Sequence, residues 1–431
     1  MRIAVVGSGI AGLASAWLLS RRHDVTLFEA NSYFGGHTHT HEVEQAGRRH
    51  RIDSGFIVHN PVHYPLLTRM FAQLGVASQA TTMSFSVHSE ASGLEYNAAT
   101  LDTLFCQRRN LLSPRFLGMV RDLVRFYREA PALLQRDDMT TLGDYLGEHG
   151  YGAAFRDEHL VPMASALWSS PPTQILRFPM RYLVQFMANH QMLQLSGRPQ
   201  WRVVQGGSST YVATLRAHWP VHERLNCPVF AIRRHDDGVE VDSAAGNERF
   251  EQVVLACHSD QSLALLADAS EREQSILGAI TYQSNDTVLH TDASVLPRRR
   301  KAWAAWNAWL PRDPDAACTV SYCMNLLQGI DSPAPFVVTL NRTSAIDPEK
   351  VLARMRYQHP VYTQAAVDAQ VRKHEIQGSR RTWFAGAYWG WGFHEDGMRS
   401  AVEVATALGA HWPLGSGALA PPESTTQAPA A

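Results

Sequence analysis

Lysine is nearly missing from this chain. Only Lys301, Lys350 and Lys373 occur, so arginine carries almost all of the positive charge and a catalytic lysine has three candidates. Cysteine is sparse. Cys106, Cys227, Cys257, Cys318 and Cys323 form no CxxC pair and no evident disulfide framework, which fits a reduced compartment. Charge of one sign is missing too: 39 basic side chains face 40 acidic ones, without the basic surface a nucleic-acid partner would want. After the first twenty residues no window is long and apolar enough to span a bilayer. The expected location is cytoplasmic, with peripheral membrane contact left open.

The opening stretch, MRIAVVGSGIAGLASAWLLS, could be taken for a leader or a span. It lacks a basic block beyond Arg2 and a small-x-small cleavage site, and its three glycines each cost a helix about 1 kcal/mol. Its apolar residues fall into two groups. Ile3 to Val6 is short and β-branched, like a buried parallel strand, and residues 13–19 are rich in Ala and Leu, like a helix. Gly7-Ser8-Gly9-Ile10-Ala11-Gly12 stands at the junction, with the spacing of a dinucleotide-binding turn. In such a turn the first glycine permits the bend and the second lets the backbone approach a pyrophosphate. The third lets helix and strand pack closely, and the helix N-terminus offers N–H groups to the phosphates. Val25 to Phe28 reads as a second buried strand. It ends at Glu29, seventeen residues after Gly12, near the spacing of a ribose-binding acid.

Farther on, a polar hairpin is expected around Gly47, and a strand ending in Asp53-Ser54-Gly55. Helices are expected over 62–74, 114–132, 153–168 and 179–193, and another opening at Gly206-Gly207-Ser208. Three short strands are expected within 228–256, and further strands over 285–291, 317–325 and 336–340. Thr382 to Gly386 reads as a buried strand entering a Gly/Trp-rich loop, with a final helix from about Gly397. The expectation is an α/β fold: a doubly wound, Rossmann-like dinucleotide domain interleaved with an α+β substrate domain. The first takes 1–77, 200–270 and 365–412, the second 78–199 and 271–364, and the tail 413–431 reads as disordered.

Gly7–Gly12, Glu29, Gly35-Gly36, Asp53-Ser54-Gly55 and Gly386…Asp396-Gly397 resemble the FAD-binding pattern of the flavin amine oxidase and phytoene desaturase superfamily. More narrowly, several blocks look like bacterial NAD/FAD-binding proteins related to the N-terminal flavoprotein-like domain of plant cyclopropane fatty acid synthases. They are GGHTHT (35–40), FIVHNPVHYP (56–65), LVPMASALWS (160–169), GRPQW (197–201), LHTD (289–292), AWAAWN (302–307) and FAGAYWGWGFHEDGM (384–398).

The resemblance implies a non-covalent FAD. It places Glu29 and Ala30 at the adenosine ribose, Gly35, Gly36, His37 and Thr38 around the pyrophosphate, Gly55 and Phe56 beside the cofactor, and Val229 at the adenine. It places Gly386 and the helix start at Asp396, Gly397 and Met398 against the ribityl chain and the flavin N1–C2=O edge. It implies hydride transfer between a substrate and flavin N5, with a fatty acyl or lipid substrate and a desaturation or oxidation. The alternatives are an amine oxidase, a small-molecule substrate, or a non-catalytic FAD-binding partner of a lipid-modifying methyltransferase. Two departures weaken the amine-oxidase alternative. His37 stands where many relatives have arginine, and Asn285-Asp286-Thr287-Val288 stands where many have a lysine near N5.

The candidate catalytic residues are His394, Glu395 and His190. An imidazole at His394 would add a group titrating near neutral pH, and Asp396 reads as the N-cap of the final helix. Trp389, Trp391 and Phe393 read as an aromatic pocket wall. His37, His39 and His41 alternate, but no fourth ligand accompanies them, so no metal is expected. His290 and Cys257 read as core residues. Arg121, Arg125 and Arg128, at helical spacing beside Leu117, Val124 and Phe126, read first as a solvated face, with an anionic lipid surface as the alternative.

Overall fold

The computed structural model describes residues 1–135, 140–168, 171–194, 197–313 and 319–412. The expected disordered tail lies outside the described residues. A five-stranded, all-parallel sheet forms the centre of one part of the fold. Its strands are β1 (Arg2–Val6), β2 (Asp24–Phe28), β3 (Val221–Arg224), β4 (Gln252–Leu255) and β5 (Thr382–Phe384), in the order β3-β2-β1-β4-β5. One sheet thus draws on three distant stretches of chain, and β1, the first strand, lies in the middle.

Helix α1 (Ile10–Leu19) follows β1 and is buried at every residue. It needs no polar face because the sheet covers one side and the final helix covers the other. Four more helices matter for the site: α2 (Pro65–Leu74), α3 (Pro114–Glu129), α4 (Met180–Asn189) and α5 (Ser209–Arg216). The final helix, α6, spans His394–Ala407. A three-stranded antiparallel sheet over Val229–Phe250 precedes β4. A seven-stranded mixed sheet is built from segments between Phe85 and Val361, and its only parallel pair among the described strands is Trp306–Leu310 with Phe85–Ser89. No helix among the described residues is long and apolar enough to cross a membrane.

Several expectations need correction. The segment 228–256 holds four strands, because Gly238 and Gly246 each start a new one. Helix 153–168 carries a π turn over Arg156–Leu160. Strands Phe85–Ser89, Glu95–Asn97, Trp306–Leu310 and Val351–Val361 were not expected. The last is an edge strand, where Pro360 and a polar sequence are tolerated. Helix α6 begins at His394, ahead of the expected start.

Candidate functional site

The site forms at the carboxyl edge of the parallel sheet, where β1 turns into α1. Gly7 takes φ +98° in that turn, and its N–H donates to Phe28 O at 2.9 Å. A Cβ on Gly12 would lie 1.8 Å from Gly7 O, so helix and strand meet there with room for hydrogen alone. Gly9 differs. A Cβ on it would meet no protein atom within 4 Å. The space over Gly9, at the positive end of α1, is where a pyrophosphate would rest.

Glu29, buried at the end of β2, ties this turn in place. Its Oε2 accepts from Ser8 N at 2.9 Å and Ser8 Oγ at 2.5 Å, and its Oε1 accepts from Asn31 N and Nδ2, each at 2.8 Å. The sequence reading gave Glu29 only ribose hydroxyls and did not include Asn31. Ala30, beside it, is exposed. Gly35 donates to Ser8 O at 3.1 Å, and a Cβ on Gly36 would come within 3.1 Å of Gly9 Cα, so the two glycine turns face each other. Gly55 lies under His37: a Cβ there would fall 2.1 Å from His37 O, which also accepts from Phe56 N at 2.7 Å.

Helix α6 brings its N-terminus beside that of α1. A Cβ on Gly397 would lie 2.7 Å from Ile10 Cγ2, and Ala11 is the next neighbour. Met398 is fully buried in the core shared with α1, so its side chain packs. Gly386 N donates to Ser400 Oγ at 2.9 Å, which fixes the loop ahead of α6.

Asp396 is not the N-cap. It occupies the third helical position, where Oδ2 accepts from Trp391 N and Phe393 N, both at 3.0 Å. Glu395 also has a different task from the one expected. Its two oxygens accept from Leu66 N at 2.9 Å and Leu67 N at 3.0 Å, so it caps α2. Burial pushes its carboxyl up to about 6.

His394 stacks on Phe56, with centroids 3.7 Å apart, and its Nε2 bonds Thr38 Oγ1 at 3.0 Å. Thr38 Oγ1 in turn lies 2.5 Å from Tyr211 OH. The residue is part-buried with its ring deep among protein atoms, and desolvation pushes it down to about 3. It is therefore a neutral imidazole near pH 7, not the titrating group expected there.

His190 ends α4. Its Nδ1 lies 2.9 Å from Phe186 O, and its ring meets Phe186 at 4.1 Å, His63 at 5.0 Å and Phe393 at 5.4 Å. Val229 starts the antiparallel sheet at a β-bulge, half-buried. His290 is a satisfied core residue, bonded to Thr339 Oγ1 and Asp292 N.

A cluster that the sequence reading missed surrounds His37. Its ring lies 4.9 Å from Tyr357, 5.5 Å from His359 and 6.2 Å from His258, and His258 stacks on Tyr282 at 4.3 Å. Burial, then the neighbouring imidazoles, hold His37 well below the usual histidine range. Tyr357 and His359 alternate on the edge strand, and that period of two was the available signal. His39 bonds Tyr357 OH from outside the His37 ring contacts, and His41 bonds Ser54 Oγ. Among the described residues no group of three or more His, Cys, Asp or Glu is arranged to hold a metal.

The lysines are all elsewhere. Lys301 pairs with Asp102, Lys350 with Asp292 and Asp347, and Lys373 with Glu403. Asn285 occupies a buried position on the large sheet, with Nδ2 3.3 Å from His359 Nδ1.

The cradle fits a dinucleotide on this chain's own features. Open space lies over Gly9, two helix N-termini converge on it, and His37 Nε2 and His258 Nδ1 are buried without partners nearby. The family model for flavin containing amine oxidoreductases matches residues 10–298, about two thirds of the chain. The chain belongs to that family. It is an FAD-dependent oxidoreductase.

Among solved structures, this flavin oxidoreductase is similar to a CLA-producing fatty acid isomerase from P. acnes. The identity is 17%, the coverage 94% of this chain and 98% of that one, and the TM-score 0.66. It is similar to cyclohexylamine oxidase from Brevibacterium oxydans IH-35A at 16% identity, with the same coverages and TM-score 0.66. Identities this low bear on the fold alone. Two curated relatives align over 6% and 13% of their own lengths. The longer alignment, 36% identical over 84 residues and 19% of this chain, is to the carotenoid phi-ring synthase of Chlorobaculum tepidum.

Proposed function

We propose that the protein oxidises or desaturates a long apolar acyl chain. The carrying observation is the wall beside the cradle. The loop between β5 and α6 delivers Trp391 and Phe393 to α4, where Trp391 lies 4.1 Å from Tyr182 and Phe393 stacks on Phe186 at 5.5 Å. Both residues pack against the apolar core of the helical insertion, so the wall continues into Leu, Met and Phe side chains. Such a surface suits a hydrocarbon chain and offers an ammonium group no carboxylate of its own, since Glu395 and Asp396 are spent on backbone N–H groups.

The sequence blocks that resemble flavoproteins of cyclopropane fatty acid synthesis favour the same substrate class. The lack of a lysine near Asn285 disfavours the amine reading.

Bound FAD supplies a hydride acceptor. In this reading Gly7–Gly12, Glu29, Ala30, Gly35–Thr38 and Val229 hold its nucleotide and pyrophosphate portions. Gly55, Phe56, Gly386 and Asp396–Met398 hold the ribityl and ring portions. His394 and Phe56 wall the reacting end, and the Tyr211–Thr38–His394 chain fixes the neutral imidazole against Phe56. His190 and the aromatic wall exclude water and orient the chain. The interleaved boundaries 1–77, 200–270 and 365–412 remain the proposed extent of the FAD-binding unit.

The test is anaerobic mixing of holoprotein with acyl lipids and, separately, with primary amines. The reading expects the flavin absorbance to bleach with an acyl lipid and not with amines. Bleaching by amines alone would replace it with amine oxidation. No bleaching by either would favour the non-catalytic partner of a methyltransferase.

A further inference from the structure

Among the described residues, twelve large apolar side chains are exposed, and five of them fall between positions 101 and 124: Leu101, Leu111, Leu112, Leu117 and Val124. Elsewhere they are scattered singly, as on any soluble surface. Here they are arranged. Leu117, Arg121, Val124 and Arg128 are spaced at 4, 3 and 4 residues along α3, so they form one outward stripe in which apolar and cationic side chains alternate. Leu111 and Leu112 sit just before the start of that helix, and Leu112 is 87% exposed.

The rim of this face is basic. Arg108 and Lys301 grip Asp102 from either side, which joins the 101–112 segment to the 298–301 turn. Arg109 and Arg299 lie on the same join, through Gly93 O and Glu95. The acidic groups near the stripe are already engaged: Asp122 is buried under Arg121 and Gly152 N, Glu158 is held by Arg115, and Glu129 by Arg125. Arg121 and Arg128 keep side chains about three-quarters exposed.

We propose that this face, from Leu101 through α3, docks on an anionic phospholipid surface. Leucines on one face, arginines among and around them, and acids withdrawn into ion pairs make up the chemistry of an interfacial helix lying in the plane of a membrane. The arginines meet headgroup phosphates while the leucines enter the acyl boundary. Charge complementarity selects the lipid over a second copy of this chain, which would set arginines against arginines. The proposal stands whether or not the substrate is an acyl chain, because binding is read without turnover.

The experiment is co-sedimentation of holoprotein with vesicles of equimolar phosphatidylglycerol and phosphatidylcholine, and with phosphatidylcholine alone. Binding is expected to the anionic vesicles, at least tenfold weaker to the neutral ones, and weakened when salt rises from about 0.1 to about 0.5 M. The double variant Leu111→Ser, Leu112→Ser should weaken partitioning at least tenfold. Arg121→Glu with Arg128→Glu should remove the salt dependence along with the binding. Flavin content should match the parent in both variants, and melting temperature in the leucine variant, whose side chains face outward; Arg121→Glu gives up the bonds to buried Asp122, so that variant should melt somewhat lower. No binding of the parent to anionic vesicles at low salt overturns the proposal. Unchanged binding by the leucine variant overturns the assignment to this face. A parent dimer that the leucine variant converts to monomer, without lipid binding, would mark the face as a self-interface instead.

Discussion

Gly9 and Gly12 stand in one turn, yet the structure assigns them opposite consequences on substitution. Gly9 has φ −61° and ψ 177°, an ordinary extended conformation for any residue, and a Cβ there meets nothing within 4 Å. Gly9→Val should therefore leave the apoprotein intact. It should even stabilise it by about 0.4–1 kcal/mol, because the unfolded chain loses freedom. The methyl groups would fill the space over the helix N-terminus where a pyrophosphate rests. FAD affinity should fall at least a hundredfold, about 2.7 kcal/mol. The parent, at FAD a hundredfold over its Kd, gains about 2.7 kcal/mol of stability from binding, and the variant should lose that gain. Melting with and without added FAD, alongside FAD titration of apoprotein, measures both terms. Gly12→Ala is the contrast: its Cβ would sit 1.8 Å from Gly7 O, so the apoprotein itself should lose several kcal/mol, on the order of other severe core clashes. A yellow, fully loaded Gly9→Val protein, or one whose apo form melts well below the parent, would rule out open pyrophosphate space over Gly9.

Glu29→Ala should weaken FAD binding by about 1.5–3 kcal/mol, read by titration, through loss of the Ser8 and Asn31 bonds that shape the turn. Glu395→Ala should destabilise the fold by about 1–3 kcal/mol in denaturant melts, because two N–H groups at the start of α2 lose their acceptor. The Glu395 carboxyl is raised from 4.5 to about 6 in the fold, so its contribution is full below about 4.5 and is lost as pH rises through about 6; Glu395→Gln should remove that slope. His59, His159 and His290 behave oppositely. Each is lowered from 6.5 to about 4, so their stability is full above about 6.5 and is lost as pH falls through about 4, and melting temperature should drop across that window. His394→Phe should keep FAD and the stack on Phe56 but loses the Nε2 bond to Thr38 that fixes the wall, so substrate-driven flavin reduction should slow at least tenfold, about 1.4 kcal/mol; reduction at the parent rate would leave the residue a purely steric role.

Local features of the sequence reached the structure well. The first β-α-β unit was readable because its glycines, β-branched strands and acid all lie within thirty residues. The three-part origin of the parallel sheet could be anticipated because each part brought its own short buried strand. What stayed hidden was long-range or lay at an edge. Nothing in HEDGM says that Glu395 caps a helix 329 residues away, and the helix start at His394 moved Asp396 from cap to third position. The strand Val351–Val361 is polar and contains a proline, so it did not look like a strand, and the imidazole cluster around His37 went unseen with it. The neutrality of His394 depends on desolvation by residues from several segments, which no local pattern reports.

Oxidation of an acyl chain by the bound flavin leaves a mass signature in the lipid and a stoichiometry in the flavin. A single anaerobic turnover tests it most directly: holoprotein is mixed with excess acyl lipid, the reduced flavin is quantified, and the extracted lipid is weighed by mass spectrometry. The expected result is one acyl product per flavin reduced, lighter than its parent by two hydrogens. Flavin that stays oxidised beside unchanged lipid, or that is reduced only when an amine replaces the lipid, would contradict it.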